Sequence, residues 1–140
     1  MKRLTPNLMV EDVNASLEYY IQKLGFEFAM GVAENPEDAV PAYRPEQVLI
    51  WGMVRRGDAE IMFQRRDSLS EDVPELAGAN IGASASLYME TDALDELHES
   101  AQAGLEIVKD LNTTFYGMRE FYIRDLNGYI LAFAQPITPA

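Results

Sequence analysis

Apolar and polar residues in the first half of the chain follow an order that predicts a strand, a helix and three further strands. Residues 4–10 alternate, which is typical of a strand with one buried face. Asp12 is a favourable N-cap, apolar residues then recur at helical spacing, and Gly25 is a favourable residue just beyond a helix end. Further runs of strand-like composition predict strands over residues 26–33, 47–56 and 59–65.

Polar segments separate these elements. Residues 34–46 hold three prolines and several acids, which predicts a loop long enough to act as a lid or an arm. Residues 55–58 read RRGD and predict a hairpin turn. Residues 65–80 are polar with one proline, so they predict a link between two halves that holds at most a short helix.

The second half of the chain repeats this order. Residues 85–91 read as a strand, Asp92 as a second N-cap and Gly104 as the end of a second helix. Residues 105–109 form a run similar to residues 26–30, and residues 118–125 and 128–135 then predict another strand pair joined by the turn Leu-Asn-Gly. An internal repeat of this kind predicts one α+β domain built from two βαβββ modules. The modules cover about residues 1–66 and 80–140, with a linker over 67–79.

Alternation along the strands divides their residues between two faces. One face is almost wholly apolar and is predicted to pack under the helices: Leu4, Leu8, Val10, Ala59, Ile61, Phe63, Leu87, Met89, Phe121, Ile123, Leu131 and Phe133. The other face is mixed: Thr5, Asn7, Met9, Leu49, Trp51, Met53, Glu60, Met62, Gln64, Ser86, Tyr88, Glu90, Glu120, Tyr122, Arg124, Ile130, Ala132 and Ala134. Apolar walls with a few polar anchors suit a ligand pocket. The alternative is the solvated outer face of an antiparallel sheet.

Composition limits the classes of function. The 140 residues carry a net charge of −12, which disfavours nucleic acid as a partner and attracts a cationic ligand. The absence of cysteine excludes disulfides, thiolate metal sites and cysteine nucleophiles. No apolar run approaches the roughly 18–20 residues of a membrane span, and the N-terminus lacks the apolar core of a signal peptide. We therefore expect a cytoplasmic protein that binds neither nucleic acid nor membranes.

Three stretches resemble the vicinal oxygen chelate superfamily: LMVEDVNASLEYYIQKLGFEF, AEIMFQ and YGMREFYIRDLNGYILAFAQ. This superfamily includes glyoxalase I, extradiol dioxygenases, fosfomycin-resistance enzymes and bleomycin-resistance proteins. The resemblance covers nearly the whole chain, and the turn RDLNGY is its most recognisable part. It implies βαβββ modules that form a curled mixed sheet around a cleft, commonly in a homodimer. It does not imply one activity, because members perform unrelated chemistries.

Metal-using members share four ligand positions, which the resemblance maps to Thr5, Glu60, Ser86 and Ala132. Only Glu60 is a competent ligand, whereas a divalent site normally needs three or four nitrogen or oxygen ligands. The one histidine, His98, falls in a predicted helix among acids and is interpreted as a helix-surface residue. A register shift of two residues brings in only Asn7 or Glu90. We therefore expect no metal and no other cofactor.

The first hypothesis is a binding protein similar to the metal-free bleomycin-resistance proteins. Its ligand is a cationic or aromatic small molecule, bound by aromatic stacking and by pairing with Glu60, and antibiotic resistance is the role that the resemblance implies. The predicted ligand-binding residues are Asn7, Trp51, Glu60, Met62, Ser86, Tyr88, Tyr122 and Arg124.

Two alternatives stay open. One is an enzyme of lyase, isomerase or dioxygenase type, with a degenerate metal site or with Glu60 as acid or base. Burial of Glu60 in an apolar pocket raises the pKa of a carboxyl group and suits it to proton transfer, unless Glu60 instead anchors a ligand amine or pairs with Arg119 or Arg124. The other alternative is an accessory protein with a vestigial cleft, in which residues 34–46 form a dimer contact.

Overall fold

The computed structural model describes residues 1–35, 38–82 and 84–137. Pro36 and Glu37 of the predicted loop, and residues 83 and 138–140 of the predicted second module, lie outside the described residues. The chain divides into two compact units, residues 1–80 and 81–140. Each unit has its own mixed sheet and at least one α-helix. The predicted α+β class with two βαβββ repeats is therefore confirmed. In the described ranges, no helix is long and apolar enough to cross a membrane.

The first unit is built on a five-stranded sheet. Its strands are β1 (Asn7–Val10), β2 (Glu27–Ala33), β3 (Ala39–Val40), β4 (Leu49–Arg56) and β5 (Ala59–Arg65), and its α-helices are α1 (Val13–Leu24) and α2 (Arg66–Asp72). The strand order is β1-β5-β4-β2-β3, with β1 parallel to β5 and the other pairs antiparallel. The predicted link over residues 65–80 holds α2 and a 3-10 turn at Pro74–Leu76, more helix than its polarity suggested.

Helix α1 begins and ends as predicted because both capping residues act as expected. The Asp12 carboxylate accepts a hydrogen bond from the Ala15 backbone N–H at 2.9 Å. Gly25 has a φ of 71°, a left-handed conformation that glycine adopts without a steric cost. The inward face of the helix buries Tyr20 completely, with its ring centroid 4.9 Å from that of Phe63. Burying a side chain of this kind contributes about 1.5–3 kcal/mol.

Residues 38–47 are fixed to the first unit. Strand β3 pairs with β2 in a segment where only a loop was predicted. The Tyr43 hydroxyl donates to Glu18 Oε2 on α1 at 2.6 Å, and burial together with this contact raises the pKa of Tyr43 to about 12. Asn14 Nδ2 donates to the Gln47 carbonyl at 2.8 Å. These contacts attach this segment to β2 and α1.

The second unit has one helix and four strands in its described part. The strands are β6 (Ser86–Glu90), β7 (Glu106–Thr113), β8 (Met118–Arg124) and β9 (Ile130–Pro136), and the helix is α3 (Leu94–Gly104). The sheet order is β6-β9-β8-β7, with β6 parallel to β9 and the other pairs antiparallel. This order repeats β1-β5-β4-β2 of the first unit, as the internal repeat of the sequence predicted.

Helix α3 departs from the prediction at its start. Ala93, and not Asp92, is its N-cap, and no side chain caps it. The Thr91 hydroxyl accepts the Ala93 backbone N–H at 3.0 Å, which fixes the turn before the helix. Gly104 is the last helical residue, and Leu105 takes the C-cap position in an extended conformation. The predicted N-cap therefore lies one position too early, whereas Gly104 ends the helix as predicted.

The apolar face is buried at most of its predicted positions, but Leu4 is an exception. Val10 and Phe63 are 0 % exposed, whereas Leu4 is 88 % exposed. Strand β1 begins only at Asn7, so Leu4 lies before the paired segment and has no sheet neighbour to cover it. The prediction that Leu4 is buried, made from the alternation of residues 4–10, is therefore wrong.

Leu49 was predicted on the mixed face and lies on the helix side. The pairing of β2 with β4 shifts by one residue beside Leu49, which turns its side chain over. Its Cδ1 lies 3.0 Å from the place of a Cβ on Gly31. Gly31 is opposite Gly52, whose own Cβ position is 2.9 Å from Leu17 Cδ1 on α1. Leu49 is accordingly 1 % exposed and belongs to the core.

Candidate functional site

The predicted site residues of the first unit lie in neighbouring rows on the mixed face of its sheet. The register places Met62 between Asn7 on β1 and Met53 on β4, and it places Trp51 opposite Gln64. Met53, Met62 and Trp51 are only partly buried. Asn7 Nδ2 donates to Gln64 Oε1 at 2.9 Å, at the side of this apolar strip. The structure thus brings these predicted residues together on one surface.

Glu60 lies on the same face but is held by two arginines. Arg55 Nη2 is 2.7 Å from Glu60 Oε2, and Arg3 Nη1 is 2.8 Å from Glu60 Oε1. The Glu60 side chain is only 7 % exposed, yet the arginines that cover it are 51 % and 70 % exposed, so its setting is solvated. The hydrogen bonds from Arg55 lower the pKa of Glu60. The expected rise in this pKa is wrong, because the hairpin register sets Arg55 directly opposite Glu60.

The four predicted site residues of the second unit share a mixed sheet face: Ser86, Tyr88, Tyr122 and Arg124. Tyr88 and Tyr122 lie on either side of Ala132 in the register. Arg124 Nη1 donates to Glu106 Oε1 at 2.5 Å. The Arg124 guanidinium is therefore paired at the edge strand β7. Of the four predicted residues, Tyr88 and Tyr122 are the two that contact a buried carboxylate.

That carboxylate is Glu120, which sequence analysis placed on the mixed face but left out of the site. Glu120 is 1 % exposed. The Tyr88 hydroxyl donates to Glu120 Oε2 at 2.8 Å and the Tyr116 hydroxyl to Oε1 at 2.7 Å. The Tyr122 hydroxyl makes a longer contact with Oε1 at 3.4 Å. We call these four residues the Glu120 cluster. The available signal was the run REFY, which sets a glutamate among aromatic residues.

Small residues on the central strand β9 make room for this cluster. Ala134 lies opposite Glu120 and Ala132 opposite Tyr122. Both alanines are 0 % exposed, and their methyl groups leave space for the large neighbouring side chains to lean over β9. Ala132, the position that the resemblance assigns to a metal ligand, is therefore a packing residue beside two tyrosines.

The cluster raises the pKa values of its tyrosines. Burial, followed by the hydrogen bond to Glu120, raises the pKa of Tyr88. The hydrogen bond to Glu120 is the main cause for Tyr116, and burial with the Glu120 charge is the cause for Tyr122. A raised pKa in the folded protein stabilises the fold at pH values below the unfolded tyrosine pKa of about 10. This stabilisation is lost as pH rises through the folded values.

We expect Glu120→Gln to lower the pKa values of Tyr88, Tyr116 and Tyr122, because the substitution removes the negative charge that opposes phenolate formation. In an ultraviolet titration, more phenolate should then appear between about pH 10 and 11 than in the unaltered protein. Glu90→Gln is the matched control, since Glu90 is an exposed carboxylate on the same sheet face. Superimposable titrations of the unaltered protein and Glu120→Gln would contradict this account.

His98 lies on α3 but is more enclosed than the sequence indicated. Its side chain is 14 % exposed, and its ring meets Phe121 edge-on with the centroids 5.1 Å apart. His98 Nε2 is 2.7 Å from Asp110 Oδ1, and this contact lowers the pKa of Asp110. The interpretation as a plain surface residue is therefore wrong. His98 packs on the helix side of the sheet and takes no part in the Glu120 cluster.

A cavity of about 360 Å³ lies beside the start of α1 in the first unit. Glu11, Asp12, Val48 and Arg65 are among its lining residues, and none of the predicted site residues lines it. Arg65 is already paired, with its Nε 2.8 Å from Asp67 Oδ1. The cavity therefore offers no free cation to a ligand.

The fold, with its two mixed sheets, agrees with a family model that matches most of the chain. A model of the Glyoxalase/Bleomycin resistance protein/Dioxygenase superfamily matches residues 4–133. The chain belongs to this superfamily. The resemblance noted in the sequence is thereby confirmed. A comparison with curated proteins finds no match.

Solved structures of low sequence identity share the superfamily fold. A protein of unknown function from Agrobacterium tumefaciens str. C58 is 18 % identical, with 96 % of this chain and 94 % of that chain covered and a TM-score of 0.71. TioX from Micromonospora sp. ML1 is 17 % identical, with 97 % and 99 % covered and a TM-score of 0.66. A glyoxalase/bleomycin resistance protein/dioxygenase from Nocardioides is 17 % identical, with 100 % and 88 % covered and a TM-score of 0.69. At these identities the similarity concerns the fold alone.

The metal positions of the superfamily do not fit a metal in this chain. Ala132 has no donor atom, Thr5 and Ser86 offer only neutral hydroxyls, and both Glu60 oxygens are engaged by arginines. The register also sets Tyr88, and not Ser86, opposite Ala132. Over residues 1–35, 38–82 and 84–137, no group of three or more His, Cys, Asp or Glu is placed to hold a metal ion. The donor set therefore gives no basis for a step through a bound metal.

Proposed function

We propose that the protein binds a small aromatic molecule, without a metal, on the mixed face of its first unit. The observation that carries this proposal is the apolar strip of Trp51, Met53 and Met62, which is only partly buried. Met30, 46 % exposed and opposite Met53, extends the strip along β2. Contiguous large apolar side chains at a surface are typical of a binding site.

An aromatic ligand suits the chemistry of this strip. Trp51 offers a flat ring for stacking, which is worth about 0.5–1.5 kcal/mol beyond the area that is buried. Methionine side chains adapt to irregular shapes, and their sulfur atoms make favourable contacts with aromatic rings. Asn7 is exposed at the edge of the strip, where its amide can orient a polar substituent of the ligand.

Two features of Glu60 support a binding role over proton transfer at that residue. Arg55 and Arg3 compensate its charge, and the contact with Arg55 lowers its pKa. A general base that works near neutral pH needs a raised pKa. The poor donor set at the family metal positions supports the metal-free part of the proposal.

The assembly and cellular setting are separate proposals that rest on the resemblance and the composition. We propose a homodimer in the cytoplasm, because members of the superfamily commonly pair. Light scattering at micromolar concentration should give twice the mass of one chain, and a monomer mass would contradict the pairing.

Trp51 makes the binding proposal directly measurable because it is the only tryptophan of the chain. We expect naphthol, a neutral aromatic probe, to quench its fluorescence saturably. In calorimetry, Trp51→Ala should weaken naphthol binding at least tenfold, equivalent to about 1.4 kcal/mol. Leu126→Ala is the control, since Leu126 is 45 % exposed on a turn of the second unit.

Two results would overturn this proposal. One is equal naphthol affinity in the unaltered protein and Trp51→Ala. The other is near-stoichiometric metal by elemental analysis of the purified protein, with stabilisation on adding manganese, iron, nickel or zinc. The second result would restore the metalloenzyme alternative.

A further inference from the structure

We propose that the Glu120 cluster is a second ligand site, and that it takes an organic cation of the quaternary ammonium class. The cation lies on the exposed rings of Tyr88 and Tyr116, with Glu120 as the buried counter-charge behind them. Trp51 and its strip belong to the other unit, so this site does not depend on the function proposed above.

Glu120 is a buried carboxylate without a cationic partner. Its three hydrogen bonds come from neutral phenols. The two arginines of the second unit are engaged elsewhere, Arg119 with Asp95 at 2.9 Å and Arg124 with Glu106 at 2.5 Å. In the described part of the chain, no ion pair within 4.0 Å reaches Glu120. Buried charges in proteins are normally paired, so a cation is the ligand type that this residue lacks.

The wider charge of the second unit adds to this preference. Residues 81–140 hold nine acidic and three basic residues. With two of the three basic side chains held by other carboxylates, the potential over this unit is negative. A negative field attracts cations and speeds their association.

The tyrosine rings stand between the buried charge and solvent. Tyr88 is 49 % exposed and Tyr116 is 53 % exposed, although the hydroxyl of each points at Glu120. The face of an aromatic ring attracts a cation within about 6 Å of its centroid. Tyr122, the third ring of the cluster, already has a cation at its face: Lys109 Nζ lies 5.8 Å from the ring centroid. This contact is independent support for cation binding at these rings.

The hydrogen bonding of Glu120 selects among cations. Both carboxylate oxygens already accept phenol hydrogen bonds, so a primary ammonium ion must either displace a tyrosine or keep its water. A quaternary ammonium ion has no N–H to satisfy and is weakly hydrated. It can settle on the ring faces while the phenols stay on the carboxylate, as in aromatic cages that bind choline groups.

Choline and its neutral carbon isostere dimethylbutanol form the test, titrated by nuclear magnetic resonance at low ionic strength. We expect choline to bind saturably and the isostere at least tenfold more weakly. Glu120→Gln should weaken choline binding at least tenfold. Glu90→Gln removes the same formal charge from an exposed position on the same face and should change it less than twofold.

A second variant keeps the test valid if Glu120→Gln folds poorly. Tyr116→Leu changes a half-exposed turn residue and should also weaken choline binding at least tenfold. The proposal is overturned if choline does not saturate, if the isostere binds equally, or if Glu90→Gln and Glu120→Gln have equal effects. Quenching of Trp51 fluorescence by naphthol, measured on the same samples, reports on the Trp51 strip, so failure of either proposal is recognised separately.

Discussion

Phe63→Ala is expected to lower the free energy of unfolding by about 3–5 kcal/mol. Phe63 is 0 % exposed on β5, and its ring centroid is 4.9 Å from that of Tyr20 on α1. Truncation removes apolar contacts and leaves a cavity that the rigid helix and sheet cannot fill. Urea denaturation monitored by circular dichroism measures the change.

Leu4→Ala is the matched control, because alternation assigned Leu4 and Phe63 to the same apolar face. Leu4 is 88 % exposed, so its truncation should change the free energy of unfolding by less than about 0.5 kcal/mol. Comparable losses for the two variants would mean that the paired part of β1 extends over Leu4.

Gly52 and Leu17 are expected to show strongly coupled substitutions. A Cβ on Gly52 would lie 2.9 Å from Leu17 Cδ1 and 3.0 Å from Cδ2, so Gly52→Ala overpacks the contact between β4 and α1. We expect Gly52→Ala to cost about 1–3 kcal/mol and Leu17→Ala about 2–5 kcal/mol. The double variant should cost less than the two together, by about 0.5–3 kcal/mol, because the added methyl enters the space that Leu17 vacates.

Gly104→Ala separates this steric effect from the effect of replacing any glycine. Gly104 is helical, and a Cβ there meets nothing within 4 Å. Its replacement should be neutral or stabilising by up to about 1 kcal/mol. Strict additivity of the Gly52 and Leu17 losses, measured by urea denaturation, would show that the two residues do not share a contact.

Glu60 and Glu120, which both lie on the mixed faces, differ from what their sequence positions suggested. Glu60 stood out in the sequence as the one acid at a family ligand position, but two exposed arginines neutralise it. Glu120 is at no family ligand position, yet it is the buried carboxylate, and its hydrogen-bond partners are neutral phenols. A search for ligands of this superfamily member should therefore vary the cation at the Glu120 cluster and the aromatic group at Trp51.

The sequence by itself determined the repeated βαβββ order, the helix that Asp12 and Gly25 enclose, and most of the apolar face. These features depend on residues that are close together in the sequence, because the alternation of side chains along a strand and the capping of a helix are local effects. It also determined the family, because the matching stretches extend over nearly the whole chain. The absence of a good donor set at Thr5, Ser86 and Ala132 was likewise readable from residue types alone.

The tertiary structure alone decided which strands are neighbours and which side chains meet across them. A one-residue shift beside Leu49 moved that residue into the core, since a change of register reverses the face of every side chain it affects. The contact of Tyr88 with Glu120 joins residues that are 32 positions apart along the chain. Such contacts depend on the pairing of β6, β9 and β8, and no local pattern of residues encodes that distance.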